Sequence, residues 1–208
     1  MPKIGPFEKY AKEYDEWFET HRHAHLSEIL AIKNFLPDGE GMEIGVGTGR
    51  FALPLGIKIG VEPSKRMREL AKKRGIDAID GVAENLPFCD SRFDFAIMVT
   101  TICFLDDVEK AFKEVYRVLK SSGVFIVGFI DKNGKIGRRY SENRDKNPFY
   151  ADARFYSVDE VINYMKASGF KEFRVAQTIF KDLSEIKEVE PVKNGYGEGS
   201  FVVIKAMK

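Results

Sequence analysis

Three alternate glycines follow an acid in Glu43-Ile44-Gly45-Val46-Gly47-Thr48-Gly49-Arg50. A strand that turns toward a helix through closely spaced glycines leaves main-chain N–H groups exposed, and a ligand can approach such a backbone closely. In isolation the same run also fits a tight turn that holds nothing, so its surroundings decide. Glu62 supplies the first of them. It closes the run Gly60-Val61-Glu62-Pro63-Ser64, where a carboxylate can accept both hydroxyls of a ribose. A third acidic position follows in Gly81-Val82-Ala83-Glu84-Asn85-Leu86-Pro87-Phe88. All three end apolar runs that read as neighbouring strands, and doubly wound sheets take ligands at those carboxyl ends. The chemistry on offer is the capture of a nucleoside-bearing cofactor.

The elements that must position these residues alternate along the chain. Gly41–Val46, Ile57–Val61 and Ile76–Ile79 read as short strands, and Ser64 caps a helix that runs to about Arg74, with Gly75 as its stop. The nearly all-apolar Phe93–Thr100 suits a central strand covered on both faces. Asp107–Lys120 carries Val108, Ala111, Phe112, Val115, Val118 and Leu119 on one helical stripe, and Val124–Ile130 reads as a further buried strand. Strands separated by helices imply right-handed crossovers and a parallel α/β sheet. Upstream, Phe7, Tyr10, Tyr14, Trp17 and Phe18 recur at helical spacing, and Leu26, Ile29, Leu30 and Phe35 mark a second helix that Pro37-Asp38-Gly39 ends. Downstream, residues 131–156 are polar, with Lys132, Lys135, Arg138, Arg139, Arg144 and Lys146 among acids. A helix over Ser157–Ala167 follows, and then two strand-like runs, Phe173–Phe180 and Ser200–Ala206, that can pair antiparallel.

Composition narrows the function classes. The 208 residues carry 33 Lys+Arg against 32 Asp+Glu, a net charge of +1 that offers no global field for a polyanion, so nucleic-acid binding is not expected. No stretch is apolar and long enough to span a membrane, the start of the chain lacks a signal-peptide core, and two cysteines exclude a disulfide scaffold. A cytoplasmic protein is expected. Gln177 is the sole glutamine in a chain that is 31% charged, a usage that hints at heat adaptation. Without linkers or repeats, the chain reads as a single domain over 1–208. Residues 1–36 form a helical cap, 37–130 the cofactor-binding core, 131–156 a candidate substrate lid, and 157–208 the last helix and edge strands.

The ordered blocks EIGVGTGR, GVEPS, GVAENLPF and FDFAIMVTTICFLDD, followed by AFKEVYRVLKSSG, resemble class I S-adenosylmethionine-dependent methyltransferases, most closely the small-molecule branch of ubiquinone/menaquinone-biosynthesis type. YAKEYDEWF and FYSVDEVINYMKASGF are similar to the same branch more weakly. The resemblance implies a doubly wound, mostly parallel Rossmann-like seven-stranded sheet, order 3-2-1-4-5 in its core, with an antiparallel edge strand. It implies S-adenosylmethionine as cofactor and a small-molecule methyl acceptor as partner. Glu43, Gly45, Gly47 and Gly49 would surround the methionine part, Glu62 would hold the ribose, Pro63 and Ser64 would flank the adenine, and Ala83 and Glu84 would lie beside its edge. Thr100 and Thr101 would line the floor near the reactive methyl, with Tyr14 and Trp17 on a helix closing over the pocket.

Two departures from the family pattern matter. Only ten residues separate Gly49 from Gly60, so the first crossover helix is expected to be stubby, and Cys103-Phe104 stand where many relatives have a His. Methyl transfer from a sulfonium needs alignment and water exclusion more than a catalytic constellation, and a base only when the acceptor must lose a proton. The catalytic role is therefore unassigned, with Tyr14, His21 and Thr101 as candidates. His21, His23 and His25 have the spacing of a helical metal pair but lack a third ligand, so no metal is expected; one of them facing the acceptor is the alternative. Cys89 and Cys103 read as inert rather than nucleophilic, and Phe7, Tyr10 and Phe18 as packing groups. Arg138-Arg139-Tyr140 reads as a solvated insertion, the alternative being a lid for an anionic acceptor. Two rival functions remain open: a cofactor-binding protein without transferase activity, and an NAD(P)-dependent oxidoreductase, against which the glycine spacing and Arg50 argue.

Overall fold

The computed structural model describes residues 3–144 and 147–208. Met1, Pro2 and Lys146, the last among the cations noted in the polar stretch, lie outside them. Among the described residues the strands are β1 (Gly41–Ile44), β2 (Ile59–Val61), β3 (Asp77–Ile79), β4 (Phe93–Val99), β5 (Leu119–Ile130), β6 (Lys171–Thr178), β7 (Lys193–Asn194) and β8 (Phe201–Met207). They form one sheet in the order β3-β2-β1-β4-β5-β8-β6-β7. The first five are parallel, and β8 joins β5 antiparallel, as do β6 and β7 beyond it. The expected core order and the pairing of the two terminal runs are both observed.

The helices are α1 (Gly5–Lys9), α2 (Ala11–Thr20), α3 (Arg22–Lys33), α4 (Lys65–Lys73), α5 (Val108–Val118), α6 (Lys135–Glu142) and α7 (Val158–Ala167). Side-chain oxygens begin three of them. Ser64 accepts from the Met67 N–H, Asp107 from Lys110, and Ser157 closes a reciprocal capping box with Glu160. Both faces of the sheet are buried, as the strand alternation shows. Ala96 and Met98 of β4 pack with Phe112 and Val115 of α5 and Val161 and Met165 of α7, while Phe95, Ile97 and Val99 pack with Ala31 and Ile32 of α3 and Phe35 just beyond it.

Five expectations need correction. The sheet has eight strands rather than seven, because the loop between β6 and β8 adds Lys193–Asn194, paired with Gln177 and Ala176. Helix α5 stops at Val118 and not Lys120, since Leu119 pairs with Phe93 and the chain enters β5 there. Residues 50–56 form successive turns ending at Gly56 (φ +75°) with no regular crossover helix at all, which ten residues cannot accommodate alongside both strand connections. The N-terminal periodic stretch is two helices broken at Tyr10, and the polar stretch after β5 contains α6, which buries Ile136.

Candidate functional site

At the carboxyl ends of β1, β2 and β4 lies a cavity of about 780 Å³ that extends beneath α1, α2 and the segment 147–156. Its floor begins with the glycine turn. Gly45, Gly47 and Gly49 have φ of +69°, +54° and +83°, left-handed conformations that side chains rarely adopt. A Cβ at Gly45 would collide with Thr101, and the space over Gly47 is bounded only by Tyr14, 3.7 Å away. Gly45 and Gly47 border the cavity; Gly49 faces inward, packed on Ile76 and Ala71.

Glu62 sits where β2 ends. Its carboxylate bridges two main-chain donors, the N–H of Gly47 (3.0 Å) and that of Ser64 (2.8 Å), and thereby ties the glycine turn to the start of α4. It borders the cavity although it is 7% exposed. Burial pushes it up to about 7 against these two N–H groups, which favour the ionised form. Pro63 lines the cavity beside it, whereas Ser64 is fully buried and spends its hydroxyl on the α4 cap.

Ala83 and Glu84 line the next wall, Glu84 accepting from the N–H groups of Asp106 (3.0 Å) and Asp107 (3.3 Å) at the start of α5. Thr100 and Thr101 form the floor after β4. Thr100 has φ +48°, an outlier for a β-branched residue, and Ile179 on the same cavity has φ +63°. The Thr101 hydroxyl is directed at the carbonyls of Val99 (3.0 Å) and Gly45 (3.3 Å), clamping the glycine turn to β4. Glu43 lies beneath the turn, 1% exposed and away from the cavity surface; one oxygen takes the Ala52 N–H, and Oε2 has no partner among the described residues.

Helix α2 covers this floor and is held by a charge cluster. Asp15 accepts from Thr48 (2.7 Å), Arg50 (2.9 and 2.6 Å) and Arg74 (2.5 Å), and Arg74 also donates to the Thr48 carbonyl (2.8 Å). Burial alone would raise the Asp15 carboxyl, but Arg50, Thr48 and Arg74 outweigh it and hold it at about 2. Tyr14 and Trp17 line the cavity from the same helix. Burial, together with the carboxylates of Glu43, Glu62 and Glu28, raises the Tyr14 phenol far above its ordinary value.

His21 does not line the cavity; it stacks on Trp17 at 4.8 Å with a ring nitrogen against the Trp17 carbonyl. His25 packs edge-on to Phe18 and Phe51, its Nε2 lies 3.2 Å from the Arg50 carbonyl, and burial brings it down to about 4. No group of three or more metal-binding side chains exists among the described residues. Arg138 donates to the Asn133 carbonyl and Arg139 pairs with Asp182, both turned from the main cavity, whereas Tyr140 enters it. Cys103 borders the cavity with its thiol pushed up to about 12 by burial, and Phe7 and Phe18 both pack and line.

Sequence reading missed most of the wall opposite the glycine turn. Of the rings in the candidate lid over 131–156, the sequence reading names only Tyr140; Phe149, Tyr150 and Phe155 come from the same polar stretch, where no periodicity marks them. Glu28 of α3 was missed too, although its signal was present: it interrupts the buried stripe Ala24, Ala31, Ile32 and Phe35 with an acid.

Residues 42–127 match the family described as Methyltransferase domain. An uncharacterized protein of Methanocaldococcus jannaschii is 49% identical over 205 residues, covering 99% of this chain and all of that one. The ubiquinone/menaquinone biosynthesis C-methyltransferase UbiE of Rickettsia typhi is 30% identical over 208 residues, covering 80% and 83% of the two chains. The crystal structure of a SAM-dependent methyltransferase of Thermotoga maritima, described as a possible histamine N-methyltransferase, superposes with TM-score 0.97 at 57% identity over 99% of both chains. Its ordered glycine turn, its acid-tipped second strand and these relatives together place the chain in the class I S-adenosylmethionine-dependent methyltransferases.

Proposed function

We propose that this protein transfers the methyl group of S-adenosylmethionine in line to a small-molecule acceptor held in the aromatic half of its cavity. Glu62 carries the reading. A buried carboxylate that already orders the glycine turn and still borders the cavity retains lone pairs for two ribose hydroxyls. The other residues present suit the same cofactor. The unpartnered Oε2 of Glu43 beneath the glycine turn suits a cationic amino group reached through the loop or a water, the bare Gly47 leaves room for the methionine chain, and Pro63, Ala83 and Glu84 offer flat and polar edges for an adenine.

When bound, S-adenosylmethionine supplies a methyl on a positively charged sulfur, which departs with the electron pair of the broken C–S bond. The chain's own part is positional. Thr101 fixes the glycine turn, Thr100 shapes the floor, and Tyr14, Trp17, Phe149 and Tyr150 exclude water from above. The lining among the described residues has six carboxylates, Glu13, Glu28, Glu62, Glu84, Asp106 and Asp107, against Lys3 and Lys110, a balance that favours cationic ligands. An amine of the kind named for the Thermotoga maritima relative is one acceptor of this description. The two free thiols accord with a cytoplasmic setting.

The test is a thermal shift with S-adenosylmethionine, S-adenosylhomocysteine, NAD and NADP, followed by labelled methyl donor with a metabolite extract. Stabilisation by the two adenosyl compounds and label in a small molecule are expected. Stabilisation by NAD alone would overturn the cofactor, and binding without transfer to any acceptor would favour the module that binds and does not catalyse.

A further inference from the structure

Glu28 is an acid where α3 needs an apolar residue. It lies between Ala24 and Ile32 on the buried stripe, is 4% exposed, and makes no hydrogen bond or ion pair among the described residues. Such a group costs folding free energy unless something pairs with it. Its one free boundary is the cavity. The side chains that feel its charge are Tyr14 of α2, Tyr140 of α6 and Tyr150 of the covering segment, and none of them is a cation.

The nearby cations are spoken for. Arg50 is held by Asp15 and Glu19, and Arg139 by Asp182. Lys3 lies in the field of Asp106, and Lys110 belongs to the first turn of α5 beside Asp107; neither contributes to the electrostatics of Glu28, which desolvation alone sets. Around the carboxyl the wall is aromatic. Tyr140 and Tyr150 stack at 4.7 Å, Phe155 stands 5.6 Å from Tyr150, and Phe18 lies edge-on to Tyr14 at 5.3 Å. Ring faces about a buried carboxylate form a container for a desolvated cation.

We propose that this chamber selects acceptors bearing a protonated amine, with Glu28 as the counter-charge that holds the nitrogen. The inference rests on the methyltransferase reading and names the acceptor class for its second pocket. A cation lets the buried carboxyl ionise and pair, which neither an anionic nor a neutral acceptor does. Glu28 thus does for the acceptor what Glu62 does for the ribose, with an ion pair in place of hydroxyl hydrogen bonds.

The experiment is calorimetry on the full chain with 2-phenylethylamine and its neutral counterpart 2-phenylethanol, each with and without saturating S-adenosylhomocysteine. At pH 7 the amine should bind at least tenfold more tightly than the alcohol. Titrations in buffers of different ionisation enthalpy should show proton release on amine binding, because the ammonium forces Glu28 to ionise. Glu28→Gln should abolish both the preference and the proton release while S-adenosylhomocysteine affinity stays within twofold. Equal affinity for amine and alcohol, no amine binding, or a preference that survives Glu28→Gln would each overturn the proposal. The wild-type comparison decides even if the variant does not fold. Failure of S-adenosylhomocysteine to bind would instead count against the methyltransferase reading, since the amine arms are also run without it.

Discussion

The two halves of the cavity are built from different materials. The proposed cofactor half is made of backbone: three left-handed glycines, a carboxylate anchored by two main-chain N–H groups, and a threonine hydroxyl clamping one loop to another. The proposed acceptor half is made of side chains: rings from α2, α6 and the segment 147–156 around an acid without a partner among the described residues. A backbone-built pocket has one shape and tolerates little change, whereas a side-chain-built pocket can be re-cut residue by residue. That division suits a family whose donor is constant and whose acceptors differ.

The largest effect expected follows from Gly45→Ala. The new Cβ must occupy a left-handed conformation and enter the Thr101 side chain, which should cost about 2–4 kcal/mol in urea melts and abolish S-adenosylhomocysteine binding. Tyr150→Leu, on the other side, should leave that binding within twofold. Similar losses from the two changes would break the comparison.

Glu62→Ala comes next. Removing one charge-assisted partner of about 1.5–3 kcal/mol should weaken S-adenosylhomocysteine at least tenfold in calorimetry, and an unchanged dissociation constant would refute the ribose role. Because burial raises Glu62 to about 7, its ionised form gains population as pH rises through 7, so cofactor affinity should increase between pH 6 and 8 and lose that slope in Glu62→Gln.

Glu28→Gln should stabilise the protein. A carboxyl raised from 4.5 to about 8 binds more protons folded than unfolded between those values, so it makes stability fall as pH climbs through that window. Removing it should raise the melting temperature at pH 8 by several degrees, on the order of 2 kcal/mol, and change little at pH 4. A variant that melts lower at pH 8 would mean that Glu28 has a partner in the folded chain.

Asp15 behaves in the opposite sense. Its carboxyl is depressed, so its contribution is present above pH 4 and lost as pH falls through about 2. Asp15→Asn should cost about 1–2 kcal/mol in urea melts at pH 6, discounted for partial exposure, and the gap from wild type should shrink toward pH 2. The smallest effect belongs to Arg138→Ala and Arg139→Ala, which should leave acceptor affinity within twofold, since both point away from the chamber.

The same division explains what the sequence disclosed. The glycine turn, Glu62, and Ala83-Glu84 lie within short motifs because each acts through its own or a neighbouring backbone, and local chain grammar records that directly. Helix starts were legible at Ser64, Asp107 and Ser157 for the same reason. The acceptor wall is a meeting of residues more than 100 positions apart, such as Glu28 with Tyr140 and Tyr150, and no local pattern encodes such a meeting. The end of α5 was misread because cross-strand pairing of Leu119 with Phe93 overrides a helical stripe. Lys193–Asn194 escaped because two residues carry no periodicity.

Trp17 is the chain's sole tryptophan, and it stands half-buried on the cavity wall against His21. An indole in that place exchanges solvent for ligand when the chamber fills. The molecule therefore carries its own optical gauge, and ultraviolet emission can follow entry of an acceptor in real time without a label.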